Sequence, residues 1–307
     1  MTRLKSIRIL FAFTASALVL SASCAGLAAD AAWQRLIRVE DPSDSGRNAW
    51  PILVRVDTPR EDESGRRLRV LLKGADGAET VVPSQLISVA DPKAVLPGLS
   101  NGTVEICFLA DLKPKSVSTF VLRIAGETAE PPTNRLVYEG GGFGIKVDTG
   151  PALFSFEPLS GQLCTYRPKI AGIDEDVRFR QMPERLQPCH WNPDVWVEGR
   201  SWGHTSDWNC ERPEARPEMA IGRGDIAFRM VRSGRMWSAE NVQATVSYTA
   251  FAGMPFLLES SEMRFTAATK VKAIRHNELV FSRGFHTQAI WPDGTGTPQT
   301  KAIYNKP

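Results

Sequence analysis

The sequence is poor in the features that most often announce a chemistry. Its 307 residues hold four histidines and five cysteines. They contain no CxxC pair and no H-E-x-x-H, which argues against the common zinc sites. There is no P-loop and no G-x-G-x-x-G between a strand and a helix. The triple glycine Gly140-Gly141-Gly142 lies between strand-like runs and reads as a bulge or turn rather than a phosphate cradle. Beyond the N-terminus no apolar run approaches the ~20 residues of a membrane span, which excludes a polytopic membrane protein. No fixed-period repeat and no low-complexity tract occurs. What is present is an ordinary globular composition, 42% hydrophobic and 23% charged. The 21 prolines and 24 glycines fall between short apolar runs, against a helical bundle or coiled coil.

The N-terminus has the form of an export signal. Arg3, Lys5 and Arg8 precede the uncharged stretch Ile9–Leu20, which is too short to span a bilayer. The small residues that follow, through Ala31, place cleavage after Ala29 or Ala31. No paired arginines point to the twin-arginine route. Ser21-Ala22-Ser23-Cys24 loosely matches a lipoprotein box, but Ser21 stands where such boxes carry Leu, so lipidation is the weaker alternative. The expected location is therefore secreted or periplasmic. Removing residues 1–29 takes away three basic residues and no acidic one, which leaves 34 of each sign. A neutral mature chain has no basic face for nucleic acid.

Export changes how the cysteines read. Cys107, Cys164, Cys189 and Cys210 remain, an even number in an oxidising compartment. Cys189 and Cys210 bracket one irregular segment and are the expected disulfide. Cys107 (in VEICFLA) and Cys164 (in GQLCTY) fit buried thiols as well as a bridge.

The expected architecture is all-β. After the signal at 1–29, an N-terminal β domain at 30–128 precedes a larger antiparallel β-sandwich domain at 129–307. In the first, WQRLIRVED, WPILVRVDT, RRLRVLLKG, ETVVPSQLISV, GTVEICFLA and SVSTFVLRI are short β-rich runs separated by turn residues. Ile52, Val54 and Val56 alternate with Leu53, Arg55 and Asp57, as in a half-buried strand. This module contains no histidine, and its carboxylates lie mainly in turns, so packing is its expected role. The polar stretch 126–135, with Pro131-Pro132, is the expected linker. Beyond it, FGIKVDT, ALFSFEP, GQLCTYRP, DVRFRQM, IAFRMV, NVQATVSYTAF, PFLLESSEMRF and VKAIRHNELVF again read as strands, several long enough for a large sandwich.

Chemistry concentrates in residues 189–210. Four of the eight tryptophans (Trp191, Trp196, Trp202, Trp208) and two of the four histidines (His190, His204) lie there. Asp194 and Asp207 accompany them. With little strand or helix periodicity, the segment is expected to be a long ordered loop. Indole faces with hydrogen-bonding neighbours match the C–H face and hydroxyl rim of a sugar; packing of the loop onto a sheet would use the same tryptophans. Further on, a strand through Arg275-His276-Asn277-Glu278 would put His276 and Glu278 on one face and Arg275 and Asn277 on the other. No cofactor is expected. A divalent metal held by some of His190, Asp194, His204, Asp207, His276 and Glu278 stays open, though no spacing selects one.

The order of elements resembles the exo-rhamnogalacturonan lyase-like secreted carbohydrate-active proteins. The supporting stretches are Asp76-Gly77 leading to Val82-Pro83-Ser84-Gln85, Phe108–Thr119 (FLADLKPKSVST), Ile145–Pro151 (IKVDTGP) and Arg275–Phe281 (RHNELVF). The resemblance covers most of residues 33–290 and implies a RIFT-type β-barrel followed by a large β-sandwich. Relatives of this kind commonly continue into a helical toroid, which residues up to Pro307 do not contain, so a fragment of a longer polypeptide is one expectation. No catalytic motif of the family is matched, and no catalytic residue is carried over.

Three functions suit these residues. A polysaccharide lyase acting on uronic-acid-containing glycans such as rhamnogalacturonan is preferred. Arg275 or Asn277 would neutralise the carboxylate, His190 or His204 would act as base, and Tyr166 or Tyr248 would supply the acid. Trp191, Trp196, Trp202 and Trp208, with Asp194, Asp207 and His276, would bind substrate. A glycoside hydrolase would use Asp194 and Asp207. A noncatalytic glycan-binding or structural domain needs only the tryptophans. The expected partner is a polysaccharide or oligosaccharide, with no nucleic acid and no membrane span; oligomeric state is not legible.

Overall fold

The computed structural model describes residues 34–57, 68–73, 77–87, 103–124, 135–169, 177–178, 189–205, 208, 217–281, 288–292 and 297–302. The chain is all-β: the described residues form strands joined by turns, with a 3-10 turn at Gly142–Gly144 and no α-helix. No helix among them is long and apolar enough to cross a membrane. The export signal, the linker up to residue 134 and the domain boundary at 128/129 lie outside the described residues.

The chain forms two compact units, neither of them continuous in sequence. The first comprises residues up to Val137 with Ala220–Val231 and Tyr248–Glu259; the second comprises Tyr138–Met219, Arg232–Ser247 and Ser260–Pro307. The first unit contains β1 (Gln34–Asp41), β2 (Arg47–Asp57), β3 (Leu68–Lys73), β4 (Glu79–Val82), β5 (Ser84–Leu86), β6 (Thr103–Leu112) and β7 (Ser116–Ile124). These are the expected runs, with ETVVPSQL divided at Pro83, which has no N–H to give a ladder. They pair as β1-β7-β3-β4 and β2-β6-β5. One core is drawn from both sheets: Ile37 and Val39, Ile52 and Val54, Val70, Ile106, Phe108, Ala110 and Leu112, and Phe120 and Leu122. Alternation explains the long apolar run of β6. Its even-numbered residues enter this core, while Cys107 and Leu109 enter a second cluster with Ile87, Ile226, Ala227, Phe251 and Met254. Cys107 is a free buried thiol, and burial pushes its pKa far up.

The remaining strands are β8 (Val137–Glu139), β9 (Lys146–Asp148), β10 (Ala152–Phe156), β11 (Leu163–Pro168), β12 (Val177–Arg178), β13 (Cys189–Val197), β14 (Trp202–His204), β15 (Glu218–Gly222), β16 (Ala227–Met236), β17 (Ala239–Phe251), β18 (Leu257–Phe265), β19 (Val271–Phe281), β20 (Gln288–Pro292) and β21 (Pro298–Ala302). They form sheets ordered β12-β11-β10-β9-β8, β14-β13-β19, β15-β16-β17-β18 and β20-β21. In β10 the residues Ala152, Phe154 and Phe156 are buried and alternate with half-buried Leu153 and Ser155, as the sequence pattern requires. Cys164 lies in β11, and Cys107 and Cys164 are not bridged to each other.

Candidate functional site

Residues 189–205 correct the expectation of a loop. Cys189–Val197 is the central strand of a three-stranded sheet, and Trp202–His204 returns beside it as an edge. Pro193 and the polar side chains around it hide the strand in the sequence. A proline is excluded from a regular central strand, and this one stands where the pairing with β19 shifts, between Asn192 and Asp194. The turn back to β14 uses Gly199 at φ 75°, a conformation that favours glycine. The Trp196 indole N–H caps that turn by donating to the Arg200 carbonyl at 3.0 Å.

Register then sets which side chains meet. Asp194 stands opposite His204 on one side and Arg275 on the other, and Trp196 stands opposite Trp202 and Ala273. Because side chains alternate between faces, both rows lie on the same face of the sheet. Gly203 points the opposite way, where a Cβ would lie 2.4 Å from the Trp237 carbonyl oxygen and 3.3 Å from the Ala239 and Met236 side chains. Glycine is therefore what lets β14 lie close to the β16–β17 turn with Trp202 and His204 turned outward. The Ser238 hydroxyl, donating to the Ser201 carbonyl at 2.9 Å, fixes the same approach.

Within this face Asp194 is fully buried, at 0% exposure, while His204 and Arg275 are 30% and 43% exposed. The nearer carboxylate oxygen, Oδ2, lies 3.1 Å from His204 Nδ1 and 3.7 Å from an Arg275 terminal nitrogen. The first distance is of hydrogen-bond length. Even so, neither Asp194 oxygen has an aligned donor among the described residues: Arg275 makes an ion-pair contact, and His204 stands at hydrogen-bond length without an aligned bond. The Arg275 side chain starts on β19 and crosses β13, and its guanidinium stacks on Trp202 of β14, 4.0 Å from the ring centroid. Trp202 also stacks near His204, with centroids 6.2 Å apart, and meets Trp196 at 5.5 Å. The Lys272 ammonium lies 4.9 Å from the Trp196 ring centre. The result is a half-exposed face of two indoles, each with a cation over it, around one buried carboxylate.

Of the other residues singled out in the sequence, Trp208 is a core side chain, which corrects its assignment to substrate binding. It is fully buried, donates its indole N–H to the Arg235 carbonyl at 2.8 Å, and is stacked by the buried Arg232. His276 lies by alternation on the face away from Asp194. Burial lowers its pKa below the usual 6.5, against the opposing effects of a backbone hydrogen bond with Ser261 and of Glu262 nearby. Tyr166 is in β11, in a different sheet, stacked on Phe154 at 5.3 Å; burial pushes its phenol up. Tyr248 is buried. His190 and Trp191 pair with Val280 and Leu279, and Asn277 and Glu278 belong to β19, but the side chains of these four lie outside the described residues. Asp207 and Cys210 also lie outside, and with Cys210 the expected disulfide. Among the described residues no three His, Cys, Asp or Glu side chains gather as a metal cluster.

Sequence reasoning overlooked Lys272 and Gly203. Lys272 carried no signal, since alternation on a regular strand puts it on the face opposite Arg275, and the pairing shift at Trp196/Val197 is not visible in the sequence. Gly203 carried none, because its constraint comes from a turn more than thirty residues away. Compared with models of known protein families and with curated proteins, the chain matches none.

Proposed function

We propose that this is an exported carbohydrate-active protein, and that its site is built for a polysaccharide lyase reaction on a uronic-acid-containing glycan. The observation that carries the reading is the single row Arg275–Asp194–His204 beside the paired indoles Trp196 and Trp202. Indole rings offer flat apolar surface to a sugar, and cations lying over them suit a sugar that bears a carboxylate. In this reading Arg275 neutralises that carboxylate and so acidifies the C5 proton. His204 takes the proton; the C5–H electron pair forms the C4–C5 double bond as the C4–O bond breaks. The leaving oxygen takes up a proton, and protonated His204 is the nearest donor that the row provides. Tyr166, in another sheet, is given no role. The resemblance of Ile145–Pro151 and Arg275–Phe281 to the rhamnogalacturonan lyase-like proteins points the same way.

The hydrolase reading is disfavoured, since a carboxylate with no exposure cannot act directly on a glycosidic oxygen or water. The test is incubation of the purified protein with polygalacturonate and with rhamnogalacturonan, following both ultraviolet absorbance of the unsaturated product and new reducing ends. Both signals together are expected. Reducing ends without the absorbance would replace elimination with hydrolysis, and binding with neither signal would reduce the protein to a glycan-binding module.

A further inference from the structure

We propose that Asp194 is the positioning residue of this site: it holds His204 with its proton on Nδ1, so that Nε2 is the nitrogen turned to the ligand, and it steadies Arg275 over Trp202. Asp194 touches no solvent and so meets no ligand itself; whatever it does passes through its neighbours. Those neighbours are the two side chains directly opposite it on either flanking strand, one a titratable ring and the other a fixed cation. A buried carboxylate without partners is costly, and neither oxygen has an aligned donor among the described residues, so small movements of the ring and the guanidinium toward Oδ2 are favoured. The 3.1 Å separation from His204 Nδ1 is already of hydrogen-bond length, so alignment rather than distance is what the bond lacks. Hydrogen bonds of this kind are often poorly aligned before ligand binds and tighten in the complex. An acceptor-only carboxylate at Nδ1 selects the tautomer protonated there and leaves Nε2 as the lone-pair nitrogen.

The proposal rests on the lyase reading only in calling Nε2 the base; the tautomer itself is independent of what the protein cleaves. The experiment therefore has two arms, both on the full chain. The first labels the protein with nitrogen-15 and reads the ring nitrogens of His204 at a pH where the ring is neutral, with the resonances assigned by their loss in His204→Gln. Wild type should show a protonated Nδ1 and a bare Nε2. Asp194→Asn, similar in shape but carrying amide donors, should lose that preference. A proton on Nε2 in wild type overturns the proposal even where the variant does not fold. The second arm uses whichever glycan the protein cleaves. Asp194→Asn and His204→Gln should each lower kcat, by roughly 10²–10⁴-fold for loss of the base, and the double variant should be no worse than the poorer single. Additive losses, or full kcat in Asp194→Asn, would overturn it. Absence of cleavage on every glycan removes the lyase reading and leaves the first arm to decide.

Discussion

At the scale of single residues, three of the four tryptophans that look alike in the sequence, Trp196, Trp202 and Trp208, divide by burial into different roles. Trp208 has both its ring and its N–H satisfied inside the second unit, by Arg232, by the Arg235 carbonyl and by contact with Gly234, where a Cβ would lie 3.3 Å from the indole. Trp196 and Trp202 are half-buried, pair with each other and carry cations. Truncating a fully buried indole removes its transfer energy and leaves a cavity, so Trp208→Ala should cost about 3–5 kcal/mol. Trp196→Ala should lower stability much less and weaken glycan binding by about 0.5–1.5 kcal/mol, up to roughly tenfold. Thermal melts beside binding isotherms on one glycan separate the two. If Trp196→Ala melts as early as Trp208→Ala and binds glycan unchanged, the indole pair is packing and the site lies elsewhere. The sequence could mark all four residues because indole density is visible in one dimension, but burial is not.

At the scale of elements, the strand pattern of the first unit was legible because its alternation is regular and its turns are rich in glycine and proline. The strand that carries the candidate site was not. CHWNPDVWV alternates apolar and polar only over residues 189–192, and Pro193 with its pairing shift breaks the pattern before the apolar run Val195-Trp196-Val197. Nor could the sequence bring Asp194, His204 and Arg275 into one row, since that row exists only through the pairing of three strands. Its weakest structural point is β14, three residues long and held close to the β16–β17 turn by a glycine. Gly203→Ala puts a methyl carbon 2.4 Å from a backbone oxygen, which no side-chain rotation relieves. The edge strand must shift, at a cost of about 1–3 kcal/mol. The shift should also disturb the paired indoles at 5.5 Å, which makes near-ultraviolet circular dichroism a direct reporter. A lowered melting temperature with a changed tryptophan signal is expected. An unchanged spectrum and melt would mean that the turn, not the glycine, sets the position of β14.

At the scale of the whole molecule, the chain leaves the first unit and returns to it twice, and polar groups as well as apolar ones secure the returning segments. The Gln85 side chain accepts from the Ile226 and Ala227 N–H groups at 3.1 Å and donates to the Ala227 carbonyl at 2.8 Å. On the neighbouring strand, Glu105 is buried and accepts from Arg229 at 2.5 Å and from Arg55 at 2.8 Å; Arg229 also donates to the Thr249 hydroxyl at 2.9 Å. Residues 124 apart in sequence are thus joined inside one unit, a pairing that strand periodicity cannot announce. Burial by itself would push the Glu105 carboxyl up, but the two guanidiniums outweigh it and hold the carboxyl below its ordinary 4.5. A carboxyl with a lowered folded-state value binds its proton more readily in the unfolded chain. Its contribution is therefore full above pH 4.5 and is lost as the pH falls through the lowered value. Glu105→Gln removes that linkage and strands the Arg229 charge in the core, which should cost about 3–5 kcal/mol at neutral pH. Denaturant midpoints taken from neutral to acid pH should fall steeply for wild type at the acid end and more gently for the variant, with the two curves converging there. Parallel curves would show that other carboxylates carry the acid sensitivity, and that the Glu105 pair joins the segments without controlling when they part.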